Sequence, residues 1–222
     1  MNILAVDTSS IYASCAIKSA NEIKSEIVIN NGLVHSKSIM PMIENALLQA
    51  QLDIEQIDLF AVCAGPGSFT GVRIGVCAIK GLATALNKPC VQINTLDCLA
   101  ANVLSQKIIC PIMDARRGQV YCAAYLDGKQ IFDYSACAIE ELCDFLQNRQ
   151  TVFVGDGIGV NKETILNIMG ANATFAPPHL AYTRASAAAY LAQNAKQIPA
   201  EELSAIYLRR PQAEREYANK HA

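Results

Sequence analysis

Apolar residues recur along the chain with two different periods, and the change from one period to the other predicts the order of the elements. The first half starts with alternating, β-branched segments typical of strands and continues with apolar positions spaced three and four residues apart, as in helices. The resulting order is βββαβαβα. These elements are expected at residues 2–6, 11–17, 22–29, 36–51, 58–63, 71–87, 90–93 and 95–105.

The second half repeats the same order of elements with little residue identity to the first. Its segments are expected at residues 108–113, 119–126, 129–134, 138–148, 151–154, 160–169, 173–175 and 184–196. Parallel strands need helical crossovers, which this spacing supplies. We therefore predict a duplicated α/β fold with lobes at 1–106 and 107–222, whose last segment, 200–209, closes back onto the body.

Composition limits the function classes. The chain has 222 residues, 52% hydrophobic and 17% charged, which is typical of a protein with a sizeable core. A net charge of −2 argues against a protein that grips nucleic acid by itself. The one basic cluster lies within 209–220, is interleaved with acids, and is interpreted as a solvated tail.

Two further features bear on the compartment. No apolar run approaches the length of a membrane span, and the N-terminus lacks the basic start and cleavage site of a signal peptide, so we expect a cytoplasmic protein with no membrane partner. The nine cysteines are odd in number and include no C-x-x-C pair, which favours reduced core thiols over disulfides. Those inside apolar segments are Cys15, Cys63, Cys77, Cys90, Cys98, Cys110 and Cys122.

The glycine-rich stretch 65–75 joins a predicted strand to a predicted helix, a place where backbone N–H groups can meet an anion or a partner. It matches neither common nucleotide motif. Val72 and Arg73 stand where a P-loop has Lys followed by Ser or Thr, and Thr70 replaces the third glycine of a Rossmann loop. Ser68 or Thr70 can cap the following helix. A tight strand-to-helix turn without any ligand remains the alternative.

Two acids occupy equivalent places in the repeat, because Asp7 and Asp114 each end the first strand of their half. Two such strands facing each other across a cleft are the pattern of the actin and sugar kinase superfamily, where the acids flank phosphates and a metal ion. The glycine-rich loop 155–159 stands where that superfamily often holds adenosine. The alternative is that both acids only form turns. The residues predicted for a nucleotide cleft are Asp7, Thr8, Ser9, Gly65, Gly67, Ser68, Asp114 and Arg116.

The chain resembles the TsaB (YeaZ) family of tRNA threonylcarbamoyladenosine biosynthesis proteins. The motifs that carry the resemblance are Ile3–Ser9, His35–Ser36, Gly65–Gly75, Asp114–Tyr121 and Tyr207–Arg209. It implies a two-lobed actin-like fold (ASKHA, ribonuclease H-like) and a complex with the paralogue TsaD and the ATPase TsaE. That complex transfers a threonylcarbamoyl group to N6 of adenosine 37 in tRNAs that read codons starting with A. The resemblance also implies that TsaD performs the chemistry and that this chain supports it.

The residues themselves favour the same division of labour. TsaD carries a His-x-x-x-His metal motif, whose two positions align here with Thr95 and Leu99. Neither offers an imidazole ligand, and the three histidines, His35, His179 and His221, do not have helical ligand spacing. We therefore predict a non-catalytic subunit with no metal site and no tightly bound cofactor. ATP or ADP with Mg²⁺ is expected to bind only weakly, at the interface of the complex.

Two enzyme hypotheses remain beside it. One is an ATP-dependent small-molecule kinase of the actin-like superfamily, which would use Asp7 and Asp114. The other is a peptidase-like protein built on His35 and Ser36. Adjacent residues at a helix start rarely place a hydroxyl on an imidazole, no third group is evident, and helix capping by Ser36 explains the serine without chemistry.

The predicted helices 36–51 and 71–87 are apolar on more than one face. Helix 71–87 carries a stripe of mostly small residues beside a stripe of larger ones, which indicates cover on two sides. The family resemblance implies a homodimer, and a heterodimer with TsaD, built on this lobe; burial of both faces within the lobe is the alternative. Arg73 is expected to pair with an acid of its own lobe or of the partner. The residues predicted for the interface are Ile39, Met40, Ile43, Leu47, Gly71, Val72, Gly75, Ala78, Ile79 and Leu82.

Overall fold

Two lobes, each built on a five-stranded mixed sheet, make up the computed structural model, which describes residues 1–32 and 34–209. In the first sheet the strand order is β3-β2-β1-β4-β5, with β1 antiparallel to β2 and parallel to β4. The elements of this half are β1 (Asn2–Asp7), β2 (Ala13–Ser19), β3 (Glu22–Ile29), α1 (His35–Ala50), β4 (Leu59–Gly65), α2 (Phe69–Leu86), β5 (Cys90–Asn94) and α3 (Thr95–Ala100).

The second half repeats this connectivity in a sheet of order β10-β9-β6-β7-β8. Its elements are β6 (Ile108–Arg116), β7 (Gln119–Leu126), β8 (Lys129–Ala138), α4 (Ile139–Leu146), β9 (Thr151–Val154), α5 (Ile158–Met169), β10 (Ala173–Phe175) and α6 (Ala185–Ala192). The predicted duplication of βββαβαβα and the α/β fold class are therefore confirmed. The pattern of two such mixed sheets in tandem is that of the actin-like fold.

The central strands of the first lobe are buried on both faces. In β1, Leu4 and Val6 belong to the core beneath α1 and α2, whereas Ile3 and Ala5 belong to the core on the other side of the sheet. A strand covered on both sides reads as a continuous apolar run. This accounts for the weak polar alternation in the sequence of β1.

The last helix of each half packs on the sheet of the other half. The alanines of α6 cover the first sheet around Ile3 and Ala61, and Leu96 and Leu99 of α3 pack against Met113 of the second lobe. The helices therefore pack the two halves together, and the boundary between two lobes at residue 106 stays a prediction. The segment after α6 also returns to the first lobe, where Ala200 and Leu203 enter the core.

The helix starts test the predicted caps. Ser68 is the N-cap of α2 and accepts a hydrogen bond from the Gly71 N–H over 3.2 Å, as predicted. The prediction for Ser36 is wrong, because α1 begins at His35 and its N-cap is Val34. The later helices α3 and α6 end several residues before their predicted ends.

Helix α2 is more apolar than the lobe's core requires. In the described part of the chain, it is the one helix that is long and apolar enough to cross a membrane. Of its 18 residues, Phe69–Leu86, 33% are buried. This finding differs from the prediction that no apolar run approaches the length of a membrane span. The buried face packs against β4, so α2 is a core helix with an apolar outer flank. Among the cysteines, all free, Cys77 of this helix is exposed, contrary to its assignment to the core.

Candidate functional site

A cleft of about 360 Å³ opens between the lobes, where β1 and β6 end. It joins five of the residues predicted for a nucleotide cleft and leaves Asp7, Thr8 and Gly65 out of its lining. The first lobe contributes Ser9, Ser10, Ile11, Gly67, Ser68 and Phe69, and the second contributes Met113, Asp114, Ala115, Arg116, Tyr121 and Asp156.

Asp7 ends β1 two residues before Ser9 of the cleft, does not line the cleft, and is fully buried. One carboxylate oxygen accepts the N–H of Ser9 over 3.0 Å, and the other accepts the hydroxyl of Thr183, which precedes α6. Burial raises the pKa of Asp7, and the hydrogen bonds from Thr183 and Ser9 oppose that rise. Asp7 therefore ties the turn after β1 to the chain before α6, and its carboxylate is not among the groups that line the cleft.

Thr8 is also engaged inside the lobe. Its hydroxyl donates to the carbonyl of Gly71 over 2.7 Å. A Cβ added to Gly71 would lie 2.1 Å from the Thr8 carbonyl oxygen, and one added to Gly75 would lie 2.5 Å from Oγ1 of Thr8. These two glycines let the first turns of α2 approach the end of β1. The close approach that they permit is within the lobe, and their assignment to a partner interface stays a prediction.

The glycines before α2 likewise allow other segments of the same chain to pack closely against the backbone. Gly65 has a φ of 118°, and its Cβ would lie 2.3 Å from the carbonyl oxygen of Ile206, so it admits the C-terminal segment. A Cβ on Gly67 would lie 2.4 Å from the carbonyl oxygen of Ser9, which accepts the N–H of Ser68 over 2.7 Å. The N–H of Ser68 is therefore already satisfied and not directed at an anion.

The second lobe presents the carboxylates of the cleft. Asp114 accepts the backbone N–H of Arg116 over 2.7 Å and pairs with its guanidinium over 3.1 Å, while Arg116 adopts a left-handed φ of 63°. The N–H of Asp114 donates to Asp156 over 3.1 Å. Burial raises the pKa of Asp156, and the nearby charge of Asp114 adds to the rise.

Asp156 belongs to the loop that the sequence indicated, but it was missing from the predicted site. Its signal was the glycines on both sides of it, which resemble those of the first-lobe turn. Asp114 and Asp156 offer the oxygen ligands that Mg²⁺ prefers, usually with water completing its shell. Within residues 1–32 and 34–209, no three His, Cys, Asp or Glu side chains are grouped as a metal site.

Arg73 has an aromatic environment. Its guanidinium carbon lies 3.7 Å from the ring centroid of Phe69, and its Nε donates to the hydroxyl of Tyr207 over 2.8 Å. The predicted acid partner in its own lobe is wrong for the described residues, whose ion pairs do not include Arg73. Sequence reasoning missed this cluster because Tyr207 is distant in sequence and carries no periodic signal.

His35 does not form a dyad with Ser36. Its Nε2 lies 2.8 Å from the carbonyl oxygen of Ser10, so the imidazole holds the β1–β2 connection to the start of α1. Ser36 is exposed on the first turn of the helix. The arrangement gives no support to a nucleophile activated by a neighbouring base.

The predicted interface divides into a buried part and a surface part. Ile39, Ile43, Leu47, Val72 and Ile79 are core residues of their own lobe. Ile43 and Leu47 also line the groove described next, and the assignment of the whole set to an interface stays a prediction.

Met40 is 38% exposed and Leu48 is 72% exposed, while Ala78 and Leu82 are half-buried. A groove of about 540 Å³ runs along this side of α1. Its lining is Met40, Ile43, Glu44, Leu47, Leu48, Gln51, Leu52, Asp53, Ile54, Glu55 and Leu82. We call this surface the α1 groove.

Comparison with known proteins identifies the family. A family model described as "TsaD: tRNA N6-adenosine threonylcarbamoyltransferase" matches residues 33–217. The tRNA threonylcarbamoyladenosine biosynthesis protein TsaB of Bacillus subtilis is 30% identical over 228 aligned positions, covering 96% of each chain. The chain belongs to the TsaB family. The Haemophilus influenzae protein of the same name is 30% identical, with 94% of each chain covered.

Solved structures agree with the fold of this TsaB-family chain. YeaZ from Pseudomonas aeruginosa superposes with a TM-score of 0.75 at 23% identity, covering 93% of this chain and 99% of that one. At this identity the likeness concerns the fold. The positions aligned with the TsaD histidine motif, Thr95 and Leu99, are both buried in α3, and the hydroxyl of Thr95 has no hydrogen-bond partner.

Proposed function

We propose that this TsaB-family chain is a non-catalytic subunit in the biosynthesis of threonylcarbamoyladenosine at position 37 of tRNAs reading A-starting codons. It docks onto TsaD, works with the ATPase TsaE, and meets tRNA only through that complex, in the cytoplasm. The names of its relatives and the match to the TsaD family model support the pathway.

One observation supports the non-catalytic role: the polar groups on the first-lobe side of the cleft form hydrogen bonds with other residues of the same chain. The carboxylate of Asp7 is buried and accepts bonds from Ser9 and Thr183. The N–H of Ser68 is bonded to Ser9, and Gly65 is covered by Ile206. Phosphate binding at a strand-to-helix turn needs free N–H groups, so a nucleotide gripped from both lobes would require these bonds to break.

The α1 groove supports docking. Leu48 and Met40 expose apolar side chains on α1, and the half-buried Leu82 of the core helix α2 continues this apolar surface. Covering apolar surface of this kind with a partner is favourable, because it removes that surface from water. We infer that TsaD covers it in the complex and that a second copy of this chain covers it when TsaD is absent.

A charge in the groove tests the proposal. Leu48→Glu places a carboxylate on the proposed contact, and we expect the affinity for TsaD to fall at least about tenfold, because burying an unpaired charge is costly. Val160→Glu is the matched control, since Val160 is 71% exposed on α5 of the other lobe and Leu48 is 72% exposed. Binding is measured by analytical ultracentrifugation of each variant mixed with TsaD.

Equal loss of binding in both variants, or no loss in either, would contradict docking through the α1 groove. The non-catalytic role is tested separately. The isolated chain is incubated with threonylcarbamoyl-adenylate and tRNA, and we expect no transfer until TsaD is added. Transfer by the isolated chain would refute the proposed role without bearing on the groove.

A kinase is the second candidate, because Asp114 and Asp156 line the cleft from the second lobe. Calorimetric titration with Mg-ATP separates the two functions. A kinase should bind at micromolar to millimolar strength in the free chain. We expect saturable binding only after TsaD is added, consistent with weak binding of ATP or ADP with Mg²⁺ at the interface of the complex.

A further inference from the structure

A second pocket, of about 410 Å³, lies at the junction of the lobes and shares no residue with the cleft. Three elements of different origin meet in it: α3, the β7–β8 hairpin and α6. Its lining is Asp97, Ala100, Ala101, Ser105, Lys107, Ile109, Tyr125, Asp127, Gly128, Gln130, Tyr134 and Leu191. We call it the junction pocket.

One carboxylate, that of Asp97, is the polar centre of this pocket. The hydroxyl of Tyr134 lies 2.8 Å from each of its oxygens, and the hydroxyl of Tyr125 donates to Oδ1. Burial, assisted by the neighbouring carboxylate, raises the pKa of Tyr134 to about 12 and that of Tyr125 further. Both phenols are therefore hydrogen-bond donors at neutral pH.

Among the described residues, the carboxylate of Asp97 accepts hydrogen bonds from neutral side chains only. No Lys or Arg among residues 1–32 and 34–209 lies within ion-pair distance of it. Lys107 lines the same pocket without pairing with it, and Asp127 adds a second negative charge to the lining. From the part of the chain that the structure describes, Oδ2 accepts the Tyr134 hydroxyl alone, so it retains capacity for another donor.

Part of the wall around this carboxylate is apolar or aromatic, and Ser105, Lys107, Asp127 and Gln130 make up the polar remainder. Ala100, Ala101, Ile109 and Leu191 provide aliphatic surface, and Tyr125 and Tyr134 bring their hydroxyls to the charged group. A carboxylate with a free acceptor position attracts an ammonium through a charge-assisted hydrogen bond. Pockets of this size that combine apolar walls with a few converging polar groups are typical of small-ligand sites.

We propose that the junction pocket binds a small organic ammonium with an apolar body. The ammonium donates to Oδ2 of Asp97, and the body lies against the alanines of α3 and Leu191. Such a ligand would contact both halves of the chain at once. The inference is independent of the docking surface and of the pathway, because it uses none of the residues that line the α1 groove or the cleft.

Three probes of nearly equal shape test the proposal: 2-phenylethylammonium, the neutral 2-phenylethanol and the anionic 3-phenylpropanoate. Binding is followed by amide chemical shifts of the full chain in phosphate buffer, which avoids competing amines. We expect the ammonium to bind at least about tenfold more tightly than the alcohol, and the anion to bind least. The shifted amides should belong to α3 and the β7–β8 hairpin.

Substitutions locate the site. Asp97→Asn should reduce ammonium binding to the level of the alcohol, whereas Asp133→Asn, an exposed acid on the same hairpin, should leave it unchanged. Ala101→Leu fills the pocket without altering the tyrosine hydrogen bonds and should weaken both the ammonium and the alcohol, which keeps the test valid if Asp97→Asn misfolds. The proposal is overturned if no probe binds saturably, if the ammonium shows no preference over the alcohol, or if Asp97→Asn folds and binds like the unaltered chain.

Discussion

Gly71 is the position where the structure makes the sharpest prediction about stability. Its Cβ, if present, would lie 2.1 Å from the backbone carbonyl oxygen of Thr8 and 3.2 Å from the Ser68 side chain. Gly71 lies within α2 and has no left-handed φ, so the glycine is needed for space and not for its backbone conformation. Gly71→Ala must therefore move the helix away from the end of β1.

The magnitude follows from three contributions. Overpacking against a backbone group costs about 1–3 kcal/mol, and weakening the bond from the Thr8 hydroxyl to the Gly71 carbonyl costs about 1 kcal/mol more. Replacing a helical glycine by alanine returns about 1 kcal/mol. Because the obstructing atom is backbone and cannot rotate away, we take the upper part of this range, a loss of about 3 kcal/mol in the free energy of unfolding.

Gly81 supplies a control within the same helix, because a Cβ there meets no atom within 4 Å. Gly81→Ala should stabilise the chain by up to about 1 kcal/mol through helix propensity alone. For a chain of this length we expect the melting temperature to fall by about 6–12 °C in the first variant and to rise by about 2–4 °C in the second.

The assay is chemical denaturation of the free chain followed by circular dichroism, with calorimetric melting as a second measurement. Equal stability of the two variants would refute the packing argument. The hypothesis that Gly71 serves a partner helix predicts a different result, an unaltered free chain that no longer binds TsaD.

Three further predictions concern buried and stacked groups. Burial raises the pKa of Asp7, so the folded chain holds this proton more tightly than the unfolded chain does. The stability gained from this proton below the ordinary pKa of 3.8 is therefore lost as the pH rises. Asp7→Asn should be more stable than the unaltered chain at pH 7 in denaturation curves, and the difference should shrink towards pH 3. Thr183→Val removes a donor to that carboxylate and should cost about 1–3 kcal/mol at pH 7 by the same measurement; no loss would contradict the role given to this bond. Arg73→Ala removes the contacts to Phe69 and Tyr207, so limited proteolysis should cut the segment around Tyr207 faster. The free energy of unfolding should fall by only about 1 kcal/mol. An unaltered cleavage rate would show that the stack does not hold the segment.

The sequence determined the elements and their order, because hydrophobic periodicity is a local property of the chain. Strand β9 at Thr151–Val154 and β10 at Ala173–Phe175 begin and end where the pattern predicted. The repeat of βββαβαβα with Asp7 and Asp114 indicated the actin-like superfamily, and the resemblance carried by motifs such as Gly65–Gly75 and Asp114–Tyr121 indicated the family. Helix ends were less accurate, since the last turn of a helix depends on what covers it.

Only the tertiary structure decided what the motif residues do. Asp7 and Asp114 are equivalent in the repeat, but Thr183 covers the first while the second stays at the cleft beside Asp156. Likewise, Gly71 and Gly81 both lie inside α2, yet only Gly71 lies against the end of β1. The physical reason is distance along the chain: Thr183, Tyr207 and the junction pocket act through contacts between residues far apart in sequence, and no local pattern encodes which distant group will cover a side chain.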